Sequence, residues 1–198
     1  MKKMFGADPK ASRDLKPGAL YAVAGEEGWI YYGQVTPDKC VGFFRRRDRS
    51  LAVPETILTA AVMCILCISY ASITTALRAG AWKKLGRFGL HDTLAGPHRQ
   101  VQWPVGTLTV NVWEDDKIIF DTRADDPRIQ RLEIMAVYDA MEHIPERLSA
   151  DFGAEGAAWH IGGPIWRERR VREDYARRFP DHPFHQLPPD WAPSGAQS

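Results

Sequence analysis

Three groups of side chains have types and spacings that invite chemistry. The first is the thiols. Cys64 and Cys67 form a C-x-x-C, the spacing of dithiol redox sites and of half a zinc site, and Cys40 is the third and last cysteine. No second C-x-x-C and no His pair at zinc spacing lies nearby, and the flanking run from Ala61 to Ile68 is apolar, which keeps thiols protonated and inert. The reading is core cysteines in a reducing compartment, since three cysteines exclude a fully paired disulfide framework. The second group is the histidines. They are scattered, and a small enzyme would have to gather a site from His91, His98 or His160 by folding, as triads are spatial rather than sequential. The sequence has no Gly-rich phosphate loop, no G-x-S-x-G, no H-E-x-x-H and no nucleotide fingerprint. Neither catalysis, nor a cofactor, nor a metal is expected.

The third group is the charges. Glu114, Asp115, Asp116, Asp121, Asp125 and Asp126 crowd around only Lys117 and Arg123. If the two ends of this segment meet in space they form one acidic patch, which would steer a basic partner and reject wrong ones. Turn tips and helix starts are acidic for local reasons too. Arg45-Arg46-Arg47-Asp48-Arg49 and the arginines from Arg167 to Arg178 are the basic counterparts, able to grip phosphates or to serve as solvated loop and helix surface.

The elements that must position these groups follow from periodicity and turn chemistry. After a polar segment over residues 1–14, expected to be flexible, Lys16-Pro17-Gly18 turns the chain into a strand at Ala19–Val23. Trp29–Val35 and Cys40–Phe44 complete an antiparallel meander, with Gly33 marking a bulge or a close backbone approach. The uncharged stretch from Ile57 to Leu77 has the length of a membrane span. Its Ser and Thr content and mid-chain position favour a buried strand near 61–69 and a helix near 70–79, capped by Gly80. Thr107–Trp113 and Lys117–Asp121 form the clearest hairpin. Asp125-Asp126-Pro127 predicts the start of the main helix, whose apolar face is Ile134, Val137, Tyr138, Met141 and Ile144, interrupted at Pro145. Beyond Gly153, residues 154–198 read as an Arg-rich helix from Pro164 to Phe179 and a proline-rich tail, held to the body by Phe184 and Trp191.

The chain has 198 residues, net charge +1 and 44% hydrophobic residues, which excludes a disordered chain and argues against a dedicated nucleic-acid binder. The expected fold class is α+β: a curved antiparallel sheet or small β-barrel with one main helix packed on it, in a single domain over 15–153, plus the extension 154–198.

Three segments resemble the immunity protein 26 family of bacterial polymorphic-toxin systems. Pro17-Gly18-Ala19-Leu20-Tyr21-Ala22 with Tyr32-Gly33-Gln34-Val35 looks like the family's first hairpin, and Leu77 to Gly86, with Trp82 and Gly86, looks like its tryptophan–glycine motif. Leu132 to Leu148, with Glu133 and Arg147, looks like its C-terminal helix. Pro145 within that helix and Ala19 near the first turn depart from the family's pattern. The resemblance implies a cytoplasmic protein that binds and neutralises a cognate toxin domain by direct contact, with no catalytic residues. Gly33, Trp82, Gly86, Glu133 and Arg147 would then serve the fold, and the acids from Glu114 to Asp126 would meet a basic toxin surface, as on a nuclease. The other reading is a nucleic-acid-associated module using its Arg-rich segments.

Overall fold

The computed structural model describes residues 4–152 and 163–192. These divide into two compact units, one of residues 4–97 and 136–152, the other of residues 98–135 and 163–192. The single domain expected over 15–153 is thus replaced by two units, and the first unit is completed by a segment that returns to it after the second has begun. The fold class is α+β, with a curled, largely antiparallel sheet, as expected.

In the first unit, strands β1 (Ala19–Ala24), β2 (Ile30–Val35), β3 (Val41–Asp48), β4 (Val62–Ile68) and β5 (Trp82–Arg87) are joined antiparallel, with β1 between β2 and β5. The run Ala-Leu-Tyr-Ala-Val in β1 is apolar at every position because both sheet faces are covered. On one face Tyr21, Tyr31, Phe43, Leu66 and Trp82 pack against Ile73 and Leu77 of helix α2 (Tyr70–Ala79) and against Ile144 and Leu148 of a later helix. On the other face Leu20, Tyr32 and Phe44 pack against Phe5, Ile57 of helix α1 (Pro54–Ile57) and Leu94 of helix α3 (Asp92–Ala95). Gly33 serves both roles expected of it. The β2–β3 register shifts beside it, and a Cβ there would lie 2.6 Å from Val41 Cγ1. Gly80 ends α2 in the left-handed conformation at φ 73°. The stretch of membrane-span length is β4 followed by α2, and among the described residues no helix is long and apolar enough to cross a membrane.

In the second unit, β6 (Arg99–Gln102), β7 (Thr109–Glu114) and β8 (Lys117–Arg123) are antiparallel, with β9 (Glu133–Ile134) parallel to β6. Val101, Trp103, Val110, Val112 and Ile129 form its core.

The main helix expected from Asp125 onward does not form there. Residues 127–132 make turns, β9 follows, and β10 (Val137–Tyr138) pairs in parallel with β4. Only α4 (His143–Phe152) is helical. The apolar residues at helical spacing serve two different sheets and a turn, and Val137 is 70% exposed. Asp126 accepts the Arg128 N–H, which closes a turn instead of capping a helix. Pro145 falls in the first turn of α4, where its missing N–H has no intrahelical partner to lose.

Three further expectations are corrected. Residues 4–14 are docked, not loose: Phe5 and Asp8 donate backbone hydrogen bonds to the Gly80 and Arg78 carbonyls, and the Asp14 carboxylate pairs with Lys84 at 2.6 Å and Arg87 at 3.0 Å. The arginine run is not a loop but the second half of β3, where Arg46 pairs with Asp48 at 2.8 Å. Cys67 is not an inert thiol. Residues three apart in a strand point to opposite faces, so Cys64 enters the first core while Cys67 meets Cys40 across the β3–β4 ladder in a disulfide with Cα atoms 4.4 Å apart.

The expected Arg-rich helix is present as α5 (Gly163–Arg178). Trp191 holds the tail to its own unit by stacking on Trp103 at 5.6 Å and donating to Glu173 at 2.7 Å, whereas Phe184 is exposed and holds nothing down. Gly153, Gly156, His160 and Gly162 lie outside the described residues.

Candidate protein-binding site

The first unit carries a concavity of about 580 Å³. One wall is the tight 3-10 turn Glu26–Gly28 that joins β1 to β2. The facing wall is the entry to α4, with Met141, Glu142, Pro145 and Glu146, and Met4 completes the lining. The turn forms because Gly25 and Gly28 bracket the two glutamates. Glu27 takes the left-handed conformation at φ 51°, at a cost to a non-glycine residue of about 1 kcal/mol. Arg49 donates to the Glu27 carbonyl and lies 3.7 Å over the Trp29 ring. Arg47 is sandwiched between Trp29 at 4.2 Å and Phe152 at 5.1 Å. These contacts fix the turn against the C-terminal end of α4.

The facing wall is fixed as firmly. The Asp139 carboxylate accepts the Met141 and Glu142 N–H groups at 2.7 and 3.0 Å and shapes the entry to α4. Ala140 between them is clamped from two sides: its N–H donates to Ser72 Oγ at 2.9 Å, and its carbonyl accepts from Trp82 Nε1 at 2.9 Å. Trp82 is buried among Tyr21 and Phe43, so the residue that resembles a family fold anchor also sets one rim of the concavity.

The chemistry of this site is electrostatic. Its lining holds the carboxylates of Glu26, Glu27, Glu142 and Glu146 and no basic side chain. Among the described residues none of the four forms an ion pair. A concave wall of one sign focuses its field and raises the local concentration of cations. The two methionines supply adaptable apolar surface for the stem of a Lys or Arg side chain.

The acids expected to form a patch are arranged differently. Asp115 and Asp116 lie at the β7–β8 tip, with Asp115 at φ 53°, while Asp125 and Asp126 follow the far end of β8. The length of that strand, about 20 Å, keeps the two groups apart. Three of the six are also neutralised: Glu114 by Arg99 at 2.8 Å, Asp125 by Arg123 at 3.1 Å and Asp126 by Arg128 at 2.7 Å. The Arg128 guanidinium, with the Thr122 hydroxyl, holds the Asp126 carboxyl well below the usual carboxylate range. Asp121 accepts from Asn111 at 2.7 Å.

Gly86 lies at the β1–β5 bulge opposite Leu20. Glu133 and Arg147, expected on one helix, belong to different units: Glu133 sits in β9 opposite Gln100, and Arg147 pairs with Asp151 at 3.0 Å inside α4. Of the candidate histidines, His91 accepts the Thr93 N–H at 3.3 Å as the cap of α3, and His98 is half-buried in the second unit just before β6. The concavity itself escaped sequence reading, because its glutamates come from segments more than a hundred residues apart. The one local signal was the Gly-Glu-Glu-Gly turn.

No protein-family model, no curated protein and no solved structure matches the chain.

Proposed function

We propose that this chain is an immunity-type protein that neutralises a toxin domain by occupying its surface, working in the bacterial cytoplasm, with the acidic concavity of the first unit receiving basic side chains of the partner. The observation that carries the reading is a hollow lined by four glutamates, none of them in an ion pair among the described residues, with no basic side chain in its lining. A nuclease surface that attracts phosphate presents the matching charge. Of the segments that resemble the immunity protein 26 family, the first hairpin and the tryptophan–glycine segment support the same reading, whereas Leu132 to Leu148 does not form the single helix the resemblance implies. Arg46, Arg47 and Arg49, by contrast, are taken up by Asp48, Trp29 and the Glu27 carbonyl, which favours a structural role over phosphate binding. The Cys40–Cys67 link bears on the compartment: in a reducing cytoplasm the two sulfurs stand as thiols facing each other across β3 and β4.

The test is co-expression with the toxin domain encoded beside this chain. Reversal of the concavity (Glu26→Lys, Glu27→Lys, Glu142→Lys, Glu146→Lys) abolishes protection, and reversal of the hairpin tip (Asp115→Lys, Asp116→Lys) leaves it intact. The opposite pattern, or protection by neither the parent nor any variant, overturns the proposal.

A further inference from the structure

We propose that Cys40 and Cys67 are a reversible redox site, at which a small dithiol attacks the Cys67 sulfur and the reduced state loosens one rim of the concavity. Both sulfurs belong to the first unit, and the inference holds whether or not the chain binds a toxin. The antiparallel register pairs Val41 with Leu66, Gly42 with Ile65 and Phe43 with Cys64. Cys40 therefore stands opposite Cys67 one step further along the ladder, with Cα atoms 4.4 Å apart. That is the spacing of an antiparallel pair without mutual hydrogen bonds, in which side chains approach most closely. The ladder thus holds the two sulfurs within reach of each other whether or not they are joined. The Cys40 backbone is held independently of the bridge as well: its carbonyl accepts from the Thr36 N–H and from the Thr36 hydroxyl, each at 3.0 Å. Opening the bridge leaves two facing thiols that can close again. Disulfides of cytoplasmic proteins are as a rule of this transient, redox-sensing kind.

Access decides which sulfur reacts. Cys40 is 4% exposed, whereas Cys67 is half-buried. One thiolate of the dithiol bonds to Cys67 Sγ while the Cys40–Cys67 bond breaks, and Cys40 leaves as a thiolate that takes up a proton. The second thiol of the dithiol, deprotonated, then attacks the dithiol sulfur joined to Cys67, and Cys67 leaves and is protonated in turn. Two electrons pass to the protein and the dithiol departs as a cyclic disulfide. The same steps in reverse close the bridge.

The consequence follows from what hangs on this end of β4. β10 has two residues, pairs with β4 at Cys67 and Ile68, and exposes Val137. The Ser69 N–H donates to the Tyr138 carbonyl at 3.0 Å. Asp139 comes next, and its carboxylate and carbonyl hold the Met141, Glu142 and Ile144 N–H groups. With the bridge closed, the end of β4 is tied to the start of β3. With it open, that end frays more often and takes β10 and the rim with it. The opposite wall, Glu26–Gly28, is carried by β1 and β2 instead.

The experiment uses the full chain equilibrated with reduced or oxidised dithiothreitol. Maleimide labelling read by mass spectrometry finds Cys67 of the reduced chain at least tenfold faster than Cys40, leaves Cys64 in the core unlabelled, and finds neither Cys40 nor Cys67 after reoxidation. Amide hydrogen exchange at Ser69, Met141 and Glu142 is at least fivefold faster in the reduced chain. Gly25 and Trp29, whose N–H groups close the turn of the opposite wall, keep their rates within about twofold. Cys67→Ser exchanges like the reduced chain in both buffers, and should that variant fail to fold, the two redox states of the parent carry the comparison. The proposal is overturned if the bridge does not open or does not close again, if Cys40 reacts before Cys67, or if Cys64 labels together with the pair. It is equally overturned if the rim amides exchange alike in both states, or if Gly25 and Trp29 speed up as much as the rim.

Discussion

In the second unit, many of the acids stand beside bases. Glu114 has Arg99, Asp125 has Arg123, Asp126 has Arg128, and the carboxylates of α5 hold arginines three or four residues away. In the first unit, Glu26, Glu27, Glu142 and Glu146 face one hollow with no cation among its lining. The two regions are similar in acidity and opposite in what that acidity does. Paired charges on an exposed hairpin project little field and add little stability. Unpaired charges on a concave wall keep their field for an incoming group, which requires the wall to be held by something other than those charges. In the first unit that support is Trp82 bonded to Ala140, Asp139 at the entry to α4, and Arg47 and Arg49 on the Trp29 ring.

The largest effect expected from breaking this contrast is at Trp82. Trp82→Ala removes a buried ring and its bond to Ala140, costs about 3–5 kcal/mol, and lowers partner affinity through the loosened rim. Trp191→Ala, which frees the tail in the second unit, leaves partner affinity unchanged. Thermal melts and titration of the two variants with the toxin domain check this. Next is the Cys40–Cys67 bridge, which closes a 27-residue separation. Its reduction, or Cys40→Ser, is expected to cost about 3 kcal/mol. Melting curves with and without dithiothreitol measure this, and an unchanged midpoint would remove the bridge from the support of the first unit.

The smallest effect is at Asp14. Its carboxyl is held below its ordinary value of 3.8, chiefly by the Lys84 ammonium, with the Lys16 N–H and Arg87 adding to the effect. The folded value lies below the unfolded one, so the stabilisation is complete above about pH 5 and is lost as pH falls through the folded value. Asp14→Asn is expected to cost about 1 kcal/mol at neutral pH, discounted because Lys84 and Arg87 are both substantially exposed. The gap between variant and parent narrows below about pH 3 in denaturant titrations.

How far this was legible in the sequence follows from how local each signal is. The meander, the 107–121 hairpin, α2 with its Gly80 cap and the Arg-rich α5 were all readable, because turn residues and periodicity within about ten positions specify them. The 127–148 segment was misread for the same reason. Ile134, Val137 and Tyr138 have helical spacing, but their pairing partners are Val101 in one sheet and Cys67 and Ile68 in the other. Parallel pairing is set by topology, which local spacing does not encode. Cys67 reads as an inert core thiol because its flanks are apolar, and its meeting with Cys40 depends on the β3–β4 register, which no local signal gives. The concavity depends on Glu26 and Glu146 meeting across 120 positions, and the dispersal of the hairpin acids depends on the length of β8.

The central claim is that the field of the first unit's hollow recruits the partner. The direct measurement is the association rate constant with the toxin domain from 50 to 500 mM NaCl, for the parent chain, for Glu26→Gln/Glu27→Gln/Glu142→Gln/Glu146→Gln, and for Asp115→Asn/Asp116→Asn. The account predicts a rate that falls at least tenfold across this range for the parent and the hairpin variant, and a low, nearly salt-independent rate for the concavity variant. A concavity variant that keeps the parent's steep salt dependence would contradict it.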